Sequence, residues 1–402
     1  MLKFSVRSVA IIAIALFLAL MSGAHVLSNI AVNESLASIP PANGLKLAEV
    51  SEHNFRQALI KNGGEIPEKI DAKILDLAQN AVAQEPLSHI GLRLLALGKE
   101  SDGDIDSARK LMRIVAGLTK RDQVSNYWLI RDYGALRDTQ NLLKYYDYSL
   151  RTSRETALQL LPAMVNGLAN DEFIEPMADL LLTRPPWSEQ FWSQMLTAKP
   201  SLPNAVKLRK RLQDGNEKPS QSVDRQLVSQ LVNYGLYAEA LELYRSLAPN
   251  RESGSKIVNQ DFDRVSMLPP VDWDLLSDGK FFADIDTGSK QLVVSISPGG
   301  SGTVARQLLH LDSHSYDLTV ETKGLTSNSI GMDLEFRCAD AGGNIRKSEA
   351  IGRITLSEGL KIYRVPPRSN CNYVWLNVNI SGADRSDSNE IIIDQLALEK
   401  VS

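Results

Sequence analysis

The stretch "IVNQDFDRVSMLPPVDWDLL", Ile257 to Leu276, separates two styles of chain. It opens on Asn259-Gln260-Asp261-Phe262, passes through Pro269-Pro270, and sets Trp273 between Asp272 and Asp274. The proline pair cannot sit inside a continuing helix. Upstream the apolar residues recur at helical spacing, and downstream they alternate. The fold class is therefore multidomain, α first and β second.

Upstream, from about Glu49 to Ala248, Ile74, Leu75, Leu77, Ala78 and Ala81 share one helical stripe, and Leu92, Leu94, Leu95 and Leu97 form another. Ala81 precedes Pro86 by five residues in "AQNAVAQEP". Steps of 34 from Ile74 reach Ala108, with Gly103 five residues before it, and Leu142, with Tyr146 four residues after it. "YGLYAEALELYRSLAP" places Gly235, Ala240 and Tyr244 at matching offsets. Glycine permits a tight turn, the small residue lets helices approach, and the aromatic fills the groove. The pattern resembles degenerate tetratricopeptide repeats, which implies an α-solenoid over residues 49–248 and a protein partner for it. An irregular helical bundle is the alternative, because Pro185-Pro186 and Pro200 break the register between Thr152 and Gln213. Tyr127, Trp128, Tyr133, Tyr145, Tyr146 and Tyr148 concentrate aromatics in the middle, and most of them are expected in the inter-helix core rather than at a ligand.

At the start, Lys3 and Arg7 precede the uncharged run Val9 to Met21, followed by Ser22-Gly23-Ala24. Residues 1–28 read either as a cleaved signal peptide or as a retained transmembrane anchor, with a linker over 29–48. Either way the positive charges before the run send the body outward, to a periplasmic location, inner-membrane-anchored or cleaved. An oxidising compartment would let the chain's two cysteines, Cys338 and Cys371, form a disulfide; two separate thiols are the alternative. Net charge is -4, and the one basic cluster, Lys207, Arg209, Lys210 and Arg211, reads as a solvated helix face. Nucleic acid is not an expected partner.

A polar linker, 249–256, leads into a second domain over 257–402. "LVVSIS" (292–297), "YDLTVE" (316–321), "IGMDLEFRC" (330–338), "YVWLNVNI" (373–380) and "IIIDQLALEKV" (391–401) read as strands. "SPGGSG", "TSNS", "ADAGGN" and "SGADRSDSN" read as turns. The result is an antiparallel β-sandwich, with Trp273 expected in its core. Asn259, Asp261, Phe262, Trp273, Asp394 and Leu396 together resemble the galactose-binding-like jelly rolls, a group rich in carbohydrate-binding modules. The resemblance implies a glycan or polysaccharide ligand. It also raises a structural calcium held by Asp261, Asp263 and Asp394; no other cofactor is expected.

Alternation turns Val374, Leu376, Val378 and Ile380 inward and Tyr373, Trp375, Asn377 and Asn379 outward. It likewise turns Asp333, Glu335 and Arg337 outward. Flat rings beside carboxylates, amides and a guanidinium suit sugar recognition. The alternative is that Trp375 lies under the helical domain or a loop. No nucleophile elbow, phosphate loop or zinc helix motif occurs; His310 and His314 lie in strand-and-turn sequence. The expected protein is non-enzymatic, with the helices docking a protein and the sandwich binding glycan in polysaccharide synthesis or export. A pure assembly scaffold is the first alternative and a glycan-active enzyme the second.

Overall fold

The computed structural model describes residues 6–29, 43–152, 154–214, 219–248, 254–325, 330–339, 350–366, 371–383 and 389–401. Most of the two expected linkers, and all or part of the "TSNS", "ADAGGN" and "SGADRSDSN" turns, lie outside them. Thirteen helices precede ten strands among the described residues. Helix α1 is Val6–Asn29, and Ile14, Leu16, Phe17, Leu18 and Leu20 on it are exposed. Among the described residues no helix is long and apolar enough to cross a membrane. The chain divides into two compact units, residues 1–160 and 161–402.

The first unit holds α2 (Gly44–Lys61), α3 (Ala72–Gln84), α4 (His89–Ser101), α5 (Ile105–Leu118), α6 (Gln123–Ala135), α7 (Thr139–Thr152) and the start of α8 (Arg154–Gly167). From α2 to α7 each helix packs against the next. The starts are written in the sequence: Asp71, Ser88, Asp104 and Asp122 each accept a bond from a free N–H of the first turn. Gly103 turns the chain between α4 and α5 at φ 81°, where a side chain would be strained. Ala78, Ala81 and Ala108 are fully buried, so the small residues sit where helices approach. Arg93 is buried and bonds both Glu52 and Asp122. Removing one partner of such a buried set costs about 3–5 kcal/mol. Trp128, Tyr133, Tyr145 and Tyr146 are core, as expected, and burial pushes the Tyr145 phenol up to about 12.

The second unit begins within α8 and holds α9 (Ile174–Leu181), α10 (Ser188–Met195), α11 (Leu202–Arg211), α12 (Gln221–Asn233) and α13 (Tyr237–Leu247). Here the basic cluster divides. Lys207, Lys210 and Arg211 are partly exposed and pair with Asp171, Glu242 and Glu175. Arg209 is not on a solvated face: it is 3% exposed and grips Asp224 with two bonds of 2.6 and 2.9 Å.

The sandwich follows in the same unit. One antiparallel sheet runs β1 (Asp274–Leu275), β4 (Ser301–His310), β9 (Tyr373–Gly382), β6 (Ile330–Cys338), β7 (Ala350–Thr355). The other runs β2 (Phe281–Asp286), β3 (Gln291–Ile296), β10 (Asn389–Lys400), β5 (Tyr316–Lys323), β8 (Gly359–Val365). Their facing sides make one core that includes Val374, Leu376, Val378, Ile380, Leu396 and the fully buried Trp273. "SPGGSG" is the β3–β4 turn, with Gly299 at φ 65°. Cys338 and Cys371 are joined by a disulfide across a separation of 33 residues. In chain-entropy terms such a loop is worth about 3–4 kcal/mol.

The Ile257–Leu276 stretch joins helices to sandwich. Trp273 donates its ring N–H to the Asn259 carbonyl, 3.2 Å away. Arg264 donates to the Tyr244 hydroxyl at 3.1 Å and lies 3.8 Å from Asp272. Asp272 is wholly buried and accepts from the N–H groups of Trp273 and Met267. Burial raises its carboxyl above the ordinary 3.8, and these bonds offset only part of that. The stability it contributes is therefore full below pH 3.8 and is lost as pH rises through the folded value. Melting temperatures of the wild type and Asp272→Asn, taken across that window, should converge or cross as pH rises. A constant gap would contradict the burial argument.

Candidate functional site

Directly opposed residues in an antiparallel sheet share a face. The register of the β1-β4-β9-β6-β7 sheet therefore places Asp274, Arg306, Asn377, Glu335 and Arg353 in one row across all five strands. A second row holds Thr303, Asn379, Asp333 and Thr355. A third holds Leu308, Trp375 and Arg337. This is the face the sequence turns outward, so the expected phase of β6 and β9 is the observed one. Tyr373, Trp375, Asn377, Asn379, Asp333, Glu335 and Arg337 all lie on it.

The rows are tied together by hydrogen bonds, most of them charge-assisted. The Thr303 hydroxyl donates to Asn379 Oδ1 at 2.7 Å, and Asn379 Nδ2 donates to Asp333 Oδ1 at 3.0 Å. Arg353 reaches Asp333 at 3.1 Å and Glu335 at 3.6 Å. Arg337 donates to Glu335 at 3.1 Å. Six side chains thus form a continuous relay across four strands. Arg353 is its most open member, 62% exposed, beside a Glu335 side chain at 13%. Nearer β1, Arg306 bonds Asp274 at 2.7 Å and lies over the Trp375 ring at 5.4 Å.

The aromatic part of the face is closed. Trp375 is 2% exposed and Asn377 4%. Neither belongs to the core between the sheets, and neither does Leu308, which is equally buried beside Trp375. Their cover comes from the outer side. There the Tyr237 ring of α13 lies 5.3 Å from the Tyr373 ring, whose other neighbour is His310 at 5.2 Å. Trp375 is therefore not the open stacking platform that alternation alone implies. Alternation states which face a side chain takes, not whether a third layer covers it. Among the described residues Trp375 Nε1 and Asn377 Oδ1 are buried without a hydrogen-bond partner.

The three carboxylates expected to hold calcium are not gathered. Asp394 on β10 takes a bond from Gln291 at 2.6 Å and sits 2.8 Å from the Lys323 ammonium. The contact with Asp394 raises the lysine's pKa, and the ammonium already neutralises that carboxylate. Asp263 lies 3.8 Å from Arg264, and Asp261 is exposed. Among the described residues no group of three or more His, Cys, Asp or Glu is placed to hold a metal ion. His314 keeps company with Asp312 at 3.9 Å, and His310 with Tyr373.

Arg353, Arg306, Asp274 and Thr303 are site residues that sequence reading did not find. They lie on β1, β4 and β7, where no clean alternation marks a strand. Outward side chains there show only through their register with β6 and β9.

No family model matches the chain, and no curated protein matches it. Three solved structures illustrate what it is similar to. One is TmCBM61 in complex with beta-1,4-galactotriose, at 16% identity and TM-score 0.26, covering 37% of this chain and 100% of that one. Another is the C-terminal family 22 carbohydrate binding module of Clostridium thermocellum Xyn10B, at 12% identity and TM-score 0.26, covering 38% and 96%. The third is accessory secretory protein 1, 2 and 3 of Streptococcus pneumoniae, at 9% identity and TM-score 0.24, covering 38% and 100%. At these TM-scores nothing is carried from them to this chain.

A buried Trp375 makes a definite demand on stability. Trp375→Ala should lower unfolding free energy by about 3–5 kcal/mol, read from denaturant melts. A loss below about 1 kcal/mol would show that the ring is in fact open to solvent.

Proposed function

We propose that this is an exported, non-enzymatic protein whose sandwich binds glycan and whose helices, packed in successive pairs like tetratricopeptide repeats, dock a protein partner. The relay Thr303–Asn379–Asp333–Arg353–Glu335–Arg337 carries the glycan half. Its carboxylates accept and its guanidiniums and amide donate, which matches hydroxyl groups that do both. The members hold one another in place, so a sugar would meet preset groups and little ordering cost would fall on binding. The open end of the strip, around Arg353, is the accessible part; the aromatic end is not. Asp333 and Glu335 lie on one strand and share Arg353. Glycoside hydrolysis needs two carboxyls flanking a bond from opposite sides, which is a different arrangement.

One observation favours a second reading, a protein-assembly scaffold without sugar binding. The Tyr237–Tyr373 contact shows this sheet already serving as a docking surface for the chain's own helix.

A glycan array probed with the full chain and with Arg353→Ala separates the two. Arg353 is exposed, so the variant should melt with the wild type yet lose binding severalfold, about 1–2 kcal/mol. No binding by the wild type to any glycan would leave the scaffold reading. The export half rests on α1's run of exposed apolar side chains and on the paired cysteines. Non-reducing peptide mapping of protein taken from its native compartment should recover Cys338 linked to Cys371. Recovery of both as alkylatable thiols would overturn it.

A further inference from the structure

We infer a second carbohydrate subsite on the opposite sheet, built on Phe282 and taking an uncharged pyranoside; it rests on the glycan reading above. The burial of β2 alternates strictly, with Phe281, Ala283 and Ile285 in the core and Phe282, Asp284 and Asp286 outward. Phe282 is 55% exposed. Single exposed apolar residues are common and need no function. This one differs in its setting. It lines an open pocket of about 500 Å³ together with Ser277, Lys280, Ser295, Ser297 and Glu390.

Strand register fixes the layout. Phe282 is opposite Ser295, and Ser295 is opposite Glu390, so the three form one row across β2, β3 and β10. Two strand spacings put the backbones of Phe282 and Glu390 about 10 Å apart, a span on the scale of one sugar ring. The Lys280 end is rigid. Asp278 Oδ1 accepts from the Lys280 and Phe281 N–H groups, and Ser297 N donates to the Lys280 carbonyl at 2.8 Å. Gly300 closes over the same carbonyl so tightly that a Cβ there would stand 2.9 Å from it.

The chemistry is that of a sugar site. The exposed ring offers a flat apolar surface to the C–H face of a pyranose. Serine hydroxyls both donate and accept, the ammonium donates, and the carboxylate accepts. Among the described residues neither Lys280 nor Glu390 forms an ion pair or side-chain hydrogen bond. One unpaired charge of each sign leaves the pocket neutral, which fits a ligand whose hydroxyls satisfy both and which carries no charge of its own. The pocket also explains why an edge strand, where exposed apolar side chains invite pairing with other chains, keeps a phenylalanine between lysine and aspartate.

The test titrates soluble β-1,4-linked trisaccharides of glucose, mannose and galactose into the full chain by calorimetry. At least one should bind. Phe282→Ala should weaken it at least about fivefold, while Phe282→Tyr, which keeps the ring, should stay within about twofold. Arg353→Ala runs in parallel, and circular dichroism melts check each variant. Binding unaffected by Phe282→Ala but lost in Arg353→Ala would remove this subsite and leave the glycan reading standing. Binding by none of the three sugars would also remove it, and the array experiment then decides the broader reading separately.

Discussion

Strand β9 is hydrogen-bonded on both edges and covered on both faces, and the rest of the second unit is arranged around that fact. Its inner side chains, Val374 to Ile380, fill the space between the sheets. Its outer side chains begin with Tyr373 against Tyr237 and pass through the closed Trp375 and Asn377 to Asn379, where the cover ends. A strand buried on both faces cannot slip in register without exposing one apolar set, so its neighbours are fixed with it. Every cross-strand row of the outer face is set by pairing to β9.

That arrangement divides one face into two chemistries. Around Trp375, apolar and aromatic groups are shut from water, and among the described residues two polar atoms there have no partner. Each such atom carries a desolvation cost of about 1–3 kcal/mol unless water or a ligand meets it. Toward β6 and β7 the polar groups satisfy one another, and Arg353 among them is open. Arg306 stands at the border, bonding Asp274 in the sheet and lying over the Trp375 ring, so it closes the apolar side without becoming an unpaired buried charge.

The sequence made much of this legible. The phase of β6 and β9 followed from alternation, because one side of each strand is wholly apolar. Strand β4 escaped notice for a physical reason: a bulge between Thr303 and Ala305 shifts its phase, and Leu308 and Leu309 are buried on opposite faces. Strand β8 escaped for the opposite reason, since Leu360 and Ile362 are apolar yet point to solvent. The carboxylates expected to hold calcium do not converge, because Asp261 and Asp263 lie in turn and loop before β1 while Asp394 is on β10 beside Lys323. Arg209 looked like its neighbours Lys207 and Lys210, and only the packing of α11 shows it buried on Asp224.

The two sheets then stand in a complementary relation. The sheet around β9 has its aromatics covered and its polar groups exposed; the sheet around β10 exposes an aromatic, Phe282, at an edge. Stacking needs an open ring, and a single open ring in water is common, so its setting decides what it can do. On the sheet around β9 the Trp375 ring is buried, so it contributes to stability rather than recognition. On the other sheet nothing in the described chain covers Phe282, and the groups beside it are those that would hold a sugar on the ring. Each outer face therefore offers its own set of groups: the open end of the polar relay on one, and the Phe282 ring with its serines, lysine and glutamate on the other.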